Sequence, residues 1–319
     1  MDIDIGIGIP SLLEASMNIE PALVASRIED FIRTQFDKFQ RDGVVLGMSG
    51  GIDSSLVGTL LVRALGPEKV LALLLPERDS SPQSKTDALK EIDRLGIEYR
   101  EIDLTPILSA VGSYDLIPLR ILGTRRIKEE IVKRQHTSQT KSLGEMPFMA
   151  GLLGTKSLGK SQEIIDTGNA YARVKHRARI LMLYYVADME NRLVVGTTNK
   201  SEAMSGFVVK WGDNVADIEP IINLYKTQVR QLSSYVGVPG EIIDKAPSPD
   251  LLPGIVDELA LGVDYETMDK ILWALEQGWD RNTIISKNNI SEDLVAHVQE
   301  LVNRSWHLRE LPPAAAIDG

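Results

Sequence analysis

VVLGMSGGIDSSLVGTLLVRAL, residues 44–65, is the stretch from which the fold can be read. Val44 to Met48 is an apolar run bounded by glycines, short enough for a buried strand. Ser49-Gly50-Gly51 then turns the backbone. Asp53-Ser54-Ser55 opens a segment in which Leu56, Val57, Leu60, Leu61, Ala64 and Leu65 recur along one helical face. A strand, a glycine turn and a helix with free N-terminal amides make a phosphate cradle, because unpaired N–H groups and the positive end of the helix dipole converge there. Gly50 and Gly51 let the backbone come close to phosphate oxygens without a Cβ in the way, and Ser49, Ser54 and Ser55 add hydroxyl donors. No lysine follows the glycines, so this is not the GxxxxGK[ST] loop.

Downstream, Val70 to Leu75 is a second continuous apolar run, as in a strand covered on both faces. It ends in Pro76-Glu77-Arg78-Asp79-Ser80-Ser81-Pro82. A helix over about Gln83 to Leu95 stops at Gly96, and Ile97 to Ile102 reads as a third strand. This βαβαβ alternation predicts an α/β fold with a doubly wound parallel sheet. Ligands on such sheets gather at the carboxyl ends of the strands, where Ser49 and Pro76 to Ser80 fall, so Arg78 is a candidate nucleotide contact. Upstream, Ile19 to Phe39 is helical in period, with Leu23, Ile28, Phe31, Ile32 and Phe36 as its core stripe, and residues 1–20 read as an N-terminal arm. Residues 21–319 read as one domain.

Residues 120–165 form a possible insert or lid. A basic stretch (Arg120, Arg125, Arg126, Lys128, Lys133, Arg134, Lys141) precedes the Gly- and Ser-rich GEMPFMAGLLGTKSLGKS. A helix with a solvated basic face followed by a loop, or an arm that attracts anionic substrate, would each account for it. Asn169 to Glu190 is again helical, basic at Arg173, Lys175, His176, Arg177 and Arg179, then core-like from Ile180 to Tyr185. No His, Cys or carboxylate stands at metal-ligand spacing from His176. Residues 263–310 read as a helical end, with Met268, Ile271, Leu272 and Leu275 on one face and Leu294, Val295, Val298, Leu301 and Val302 on another.

Composition narrows the function. At 319 residues and 43% hydrophobic, the chain can bury a large core. No apolar run approaches the roughly 20 residues of a membrane span, and the first residues lack the basic start of a signal peptide, so a cytoplasmic protein without a membrane partner is expected. A net charge of −10 does not favour a nucleic-acid partner. With no cysteine there is no thiolate metal site and no cysteine nucleophile.

The six-residue pattern Ser49 to Ser54, SGGIDS, resembles the pyrophosphate loop of the ATP pyrophosphatases, whose aspartate, here Asp53, helps bind magnesium. Further motifs follow: GTTNKSE (196–202), KWGDNVADIEPIINLYKTQV (210–229) and KAPSPDL-x-PG (245–254). In this order they are similar to NAD synthetase, over roughly Ile28 to Pro313. The resemblance implies an adenine nucleotide alpha hydrolase-like fold with C-terminal helices. It also implies an ATP-dependent amidation of deamido-NAD, with Mg2+ as cofactor, ATP as co-substrate and a homodimer as the assembly. By the same resemblance Ser49, Gly50, Gly51, Asp53, Ser54 and Ser55 would hold the β and γ phosphates, and Asp53 and Glu202 the magnesium. Thr197, Lys226 and Ser248 would contact the triphosphate, and Lys226 would balance charge on the α phosphate. Lys210, Asp213 and Asp217 would line the deamido-NAD and ammonia side, Asp213 holding ammonium or taking its proton, with Phe207 beside the pyridine ring. The family's substrate-binding arginine follows an Asn-x-x-Ala sequence, which Asn169-Ala-Tyr-Ala-Arg173 fits, while Arg177 and Arg179 also qualify by position.

One departure is plain: PGQTDE in the family is Pro253-Gly254-Ile255-Val256-Asp257-Glu258 here. A built-in glutaminase would need a nucleophile, usually cysteine, and a further domain. Free ammonia is therefore the expected donor, directly or from a separate glutaminase partner. The alternatives are another pyrophosphate-loop enzyme that adenylates a different carboxylate or a tRNA base, and a non-catalytic adenine-nucleotide-binding module.

Overall fold

Strands that are apolar on both sides need cover on both faces, and the sheet has it. The computed structural model describes residues 17–117, 125–143, 145–153, 160–248 and 254–315. Residues 1–16 of the expected arm, Arg120, residues 154–159 of the Gly- and Ser-rich stretch and Pro249 to Pro253 lie outside the described residues. Four parallel strands, β1 (Gly43–Gly47), β2 (Val70–Leu74), β3 (Glu98–Glu101) and β4 (Arg192–Val195), lie in the order β3-β2-β1-β4. Val44 pairs with Val70 on one side and Leu193 on the other. A bridge between Val195 and Ile218 extends the sheet beyond β4.

The helices in the first half are α1 (Pro21–Phe39), α2 (Ile52–Leu65), α3 (Pro82–Leu95), α4 (Thr105–Ala110), α5 (Ser113–Leu116), α6 (Arg125–Leu143), α7 (Pro147–Leu153) and α8 (Lys160–Glu190). The second half adds α9 (Lys200–Ser205), α10 (Lys226–Val236), α11 (Gly240–Ile243), α12 (Asp257–Leu261), α13 (Tyr265–Glu276), α14 (Arg281–Asn288) and α15 (Glu292–Arg304). Strand alternation sorts the core. Val44, Leu46, Val70, Ala72, Leu193 and Val195 pack with α1, α2, α3 and α10, whereas Val45, Leu71, Leu73 and Val194 pack with Leu183, Val186 and Ala187 of α8. β3 closes one edge with Glu98, Arg100 and Glu101, charges that discourage further strand pairing. Met268, Ile271, Leu272, Val295, Val298 and Leu301 form a second core that takes in Met149 and Leu152 of α7, so the helical end packs as its periodicity predicts.

Three expectations are corrected. The α1 stripe runs through Val24, Ala25, Ile28, Ile32 and Phe36, while Leu23 and Phe31 are exposed. Helical spacing allows adjacent stripes, and the one that meets α2 and α10 is the one buried. Helix α8 starts at Lys160, well before Asn169, because Gly168 lies in open space and is carried as an ordinary helical residue. Leu181 and Tyr185 of α8 are exposed rather than core.

The sheet order places a switch point between β1 and β4, whose carboxyl ends run into Ser49-Gly50-Gly51 and Gly196-Thr197-Thr198. The two connections diverge there and leave a crevice. Gly50 has φ +73°, and a Cβ on it would lie 2.4 Å from the Ser84 carbonyl and 2.8 Å from the Ala88 amide of α3. At Gly51 the nearest atom to a Cβ is the Ser49 hydroxyl, at 3.3 Å. Gly50→Ala should therefore cost about 1–3 kcal/mol in thermal or urea unfolding, and Gly51→Ala markedly less.

Candidate active site

A cavity of about 320 Å³ opens at this switch point. One end is built by the turn after β1. In α2 the first intrahelical backbone bond runs from Ser55 N to Gly51 O, at 3.1 Å, so the amides of Ile52, Asp53 and Ser54 stand at the open end of the helix. Ser54 and Ser55 hydroxyls donate to Gly51 O (3.1 and 2.9 Å), and Gly51 N donates to Ser49 Oγ (3.3 Å), which fixes the turn. Lys245 reaches the same turn, donating to Asp87 Oδ2 at 2.7 Å and to Gly50 O at 3.4 Å.

Asp53 projects from α2 to the first residue of α10: Lys226 Nζ donates to Asp53 Oδ2 at 2.6 Å and to Glu202 Oε1 at 3.2 Å. Asn199 joins the two acids. Its Nδ2 donates to Asp53 Oδ1 (3.0 Å), its Oδ1 accepts from Glu202 N (3.0 Å), and its own N donates to Glu202 Oε2 (3.3 Å). That is a capping box at the start of α9, and the Asn-x-x-Glu spacing carried the signal for it in the sequence. Asp257 Oδ2 accepts from Tyr265 Oη at 2.8 Å, while its buried Oδ1 has no hydrogen-bond partner among the described residues. Burial works against the Lys226 ammonium, yet Asp53, Glu202 and Asp257 outweigh it and hold its pKa well above the lysine range. Burial first, and repulsion from neighbouring acids second, push Glu202 upward and Asp257 up to about 6, each partly offset by Lys226. One ammonium does not balance three carboxylates, so the cluster favours a proton or a further cation. A hard divalent ion that also takes phosphate oxygens suits Asp53 and Glu202 on that ground.

The opposite end is less charged at its walls. Phe207, Ile180, Leu183 and Val215 line it with Thr197, Thr198, His176, Arg179 and Asp213. Asp213 Oδ1 accepts from Val209 N (2.6 Å), its carbonyl accepts from Thr198 Oγ1 (2.8 Å), and its Oδ2 lies 3.2 Å from His176 Nδ1. Phe207 also stacks edge-on against Phe148, 5.1 Å between ring centres.

Of the residues singled out by sequence, Ser49, Gly51, Asp53, Ser54, Arg179, Thr197, Glu202, Phe207, Asp213, Lys226 and Ser248 line the cavity. Others are near but turned to structural partners. Arg78 pairs with Asp79 (2.9 Å) and lies 3.7 Å over the Tyr114 ring. Arg173 donates to Gly151 O (3.0 Å), Arg177 to Lys210 O (3.1 Å) and Lys210 to His307 O (2.5 Å). Asp217 accepts from Val194 N (2.8 Å) and Tyr184 Oη (3.2 Å), standing in for a missing strand partner. Ile255, the departure from the family pattern, is buried, and Ser248 Oγ donates to its carbonyl at 3.1 Å.

Sequence reading gave no role to His176, Lys245, Asp257 or Glu219. Glu219 sits behind β4, where a Cβ on Gly196 would meet its carboxylate at 2.1 Å. Its Oε2 accepts from Thr198 N (3.3 Å), and Oε1 is buried without a hydrogen-bond partner among the described residues. Burial pushes this carboxyl from 4.5 up to about 8. The folded state therefore keeps a proton that the unfolded chain releases. The associated stability is complete below about pH 4.5 and is lost as pH rises through about 8. Urea unfolding should show wild type losing about 1 kcal/mol or more relative to Glu219→Gln between about pH 5 and about pH 9.

Comparison with known proteins agrees with this geometry. The family model NAD synthase matches residues 24–141 and 152–312. An NH(3)-dependent NAD(+) synthetase of Coprothermobacter proteolyticus is 45% identical over 252 residues, covering 79% of this chain and 84% of that one. Among solved structures, the NMN synthetase of Francisella tularensis superposes with a TM-score of 0.67 at 29% identity, over 94% of this chain and all of that one. The NH3-dependent NAD synthetase of Campylobacter jejuni gives 0.64 at 26% identity, over 93% and 100%. No helix among the described residues is long and apolar enough to cross a membrane. With the family model matching most of its length and a relative 45% identical over more than three quarters of it, the chain belongs to the NAD synthase family.

Proposed function

We propose that this protein makes NAD from deamido-NAD, ATP and ammonia, releasing AMP and pyrophosphate. The observation that carries the reading is the convergence of Asp53, Glu202 and Lys226 on the open end of α2 at the switch point, with Asp213 at the other end of the same cavity. An anionic triphosphate and a divalent cation suit the first end, and a flat aromatic acid with its nitrogen nucleophile suits the second.

Ser49, Gly50, Gly51, Ser54 and Ser55 cradle the β and γ phosphates, helped by the open amides of α2. Asp53 and Glu202 hold Mg2+, which when bound neutralises phosphate charge. Lys226 turns its ammonium from the two acids to the α phosphate as the nicotinate carboxylate attacks there. Thr197 and Ser248 flank the triphosphate. Phe207 backs the pyridine ring, and Arg179 faces the substrate from α8. Arg177 and Lys210 fix each other and the turn that carries Asp213, while Arg78, Arg173 and Asp217 brace the surrounding connections. Displacement of AMP by ammonia completes the amide, and closure against water protects the adenylate. Helix α6 supports the lid reading of 120–165: Arg125 donates to Ser80 O at 3.2 Å, and a Cβ on Gly254 would meet Glu129 of α6 at 3.0 Å. Residues 21–319 act as one catalytic domain working in the cytoplasm.

Purified protein given ATP, Mg2+, deamido-NAD and ammonium should yield NAD and AMP in equal amounts. Glutamine in place of ammonium should yield almost none, because the chain has no cysteine nucleophile and a glutaminase partner would have to be added. Nicotinate mononucleotide is the competing acid to include, since one solved relative is an NMN synthetase. Asp53→Asn and Glu202→Gln should each lower kcat/KM by about 100-fold or more. AMP without NAD, or no product at all, would sink the reading.

A homodimer is part of the proposal. Leu181, Tyr185 and Met189, spaced i, i+4, i+8 on α8, are 58%, 57% and 70% exposed, an apolar stripe left open by the described residues. Sedimentation should give a dimer for wild type and a monomer for Leu181→Glu/Tyr185→Glu, with weakened deamido-NAD binding if substrate spans the interface.

A further inference from the structure

Asp213 is held in place through both its carboxylate and its carbonyl, by Val209 N and Thr198 Oγ1. The turn around it is closed by Trp211 in the left-handed region (φ 61°), whose N donates to Asn214 Oδ1 at 3.0 Å. Asn214 Nδ2 in turn donates to Leu308 O at 3.2 Å. Among the described residues, the side chain set against Oδ2 is His176, through Nδ1 at 3.2 Å, and it lines the cavity together with Asp213 and Phe207.

The charges around His176 are specific. Burial is the main influence against protonation, Asp213 on the facing turn opposes it, and Arg179 and Lys175 on its own helix add to it; the net effect lowers the imidazole pKa. Lys175 points away to Glu77, 2.9 Å distant, and Arg179 lines the cavity. Nδ1 lies 3.2 Å from the carboxylate, so a neutral imidazole placed to donate Nδ1–H towards Oδ2 would keep its lone pair on Nε2. Among the described residues, Nε2 has no hydrogen-bond partner.

We propose that His176 Nε2 takes the proton that nitrogen loses when the amide forms, and that Asp213 is the positioning residue that sets its tautomer. This assignment rests on the amidation proposed above. The ammonia lone pair forms the C–N bond at the carbonyl carbon of the adenylate, leaving a tetrahedral centre that carries –NH3+. His176 Nε2 accepts one of those protons. The C–O bond to AMP then breaks, its electron pair leaving on the phosphate oxygen, and the imidazolium passes its proton to water. A carboxylate alone is a weaker base for this step than an imidazole, whose ordinary pKa lies nearer neutrality.

Two half-reactions separate this role from a structural one. His176→Asn keeps an N–H where Nδ1 was, so it can still hold Asp213, but has no Nε2. With deamido-NAD and no ammonium, its exchange of labelled pyrophosphate into ATP should stay within about twofold of wild type. NAD formation at saturating ammonium should fall by about 100-fold. The wild-type kcat profile should fall on its acidic side as His176 becomes protonated, and that limb should be absent from the variant. Added imidazole should restore part of the rate to His176→Gly. Undiminished NAD formation by His176→Asn, or an equal loss in both half-reactions, would overturn the assignment while leaving the amidation intact. Failure of wild type itself to make NAD and AMP would overturn both.

Discussion

A lysine ammonium that is almost wholly buried must be surrounded by negative charge, and Lys226 imposes that condition on this fold. It is the first residue of α10, 1% exposed, and its tip gathers Asp53 from α2 and Glu202 from α9, with Asp257 of α12 acting on it as well. Its backbone is tied just as closely. Lys226 N donates to Ser201 Oγ at 2.8 Å, Ser201 donates to Asp269, and Asp269 accepts from Thr227 N at 2.9 Å. The sheet domain and the helical end are thus joined where the charges meet. Removing one partner of such a buried cluster costs about 3–5 kcal/mol, although a hydrophobic replacement of the whole would be as stable. Stability alone does not explain why the charges are there. A ligand with both a cation and an anion to place does, because the surplus carboxylates suit the one and the ammonium the other.

That arrangement divides the cavity by chemistry. At the end of β1 the backbone itself supplies the positive potential, through the open amides of α2, and the serines fix its shape rather than its charge. At the end of β4 the walls are Phe207, Ile180, Leu183 and Val215, with Thr197, Thr198, His176, Arg179 and Asp213 as the polar groups. The apolar walls strengthen the interaction among Asp213, His176 and Arg179, so these few groups can govern proton movement.

The parallel sheet was legible because strands covered on both faces read as unbroken apolar runs, and Val44 to Met48 and Val70 to Leu75 are such runs. The edges were less so. Glu98, Tyr99 and Arg100 form a strand with little burial, identified mainly by what precedes it. The charged stretch from Lys210 to Lys226 was harder still, since side chains that satisfy backbone look the same in sequence as side chains that meet ligand. Asp217 serves Val194 N, Asp213 is shared between Val209 N and the cavity, and only Lys226 meets the other predicted carboxylates. In sequence His176 could be weighed only as a metal ligand and was given no role, because its partner is distant in sequence and is a single carboxylate.

Glu219 shows how far such a site depends on residues outside it. Gly196 has no side chain, which lets the carboxylate lie against the end of β4, and burial keeps the acid protonated to about pH 8. Through Oε2 it fixes Thr198 N, and through Oγ1 Thr198 fixes the carbonyl of Asp213. A charged Glu219 would add repulsion to Asp213 and Glu202, both of which already raise its pKa. Keeping that one carboxyl neutral therefore does for the β4 side what Lys226 does for the β1 side: it holds negative groups close together until a ligand takes up their charge.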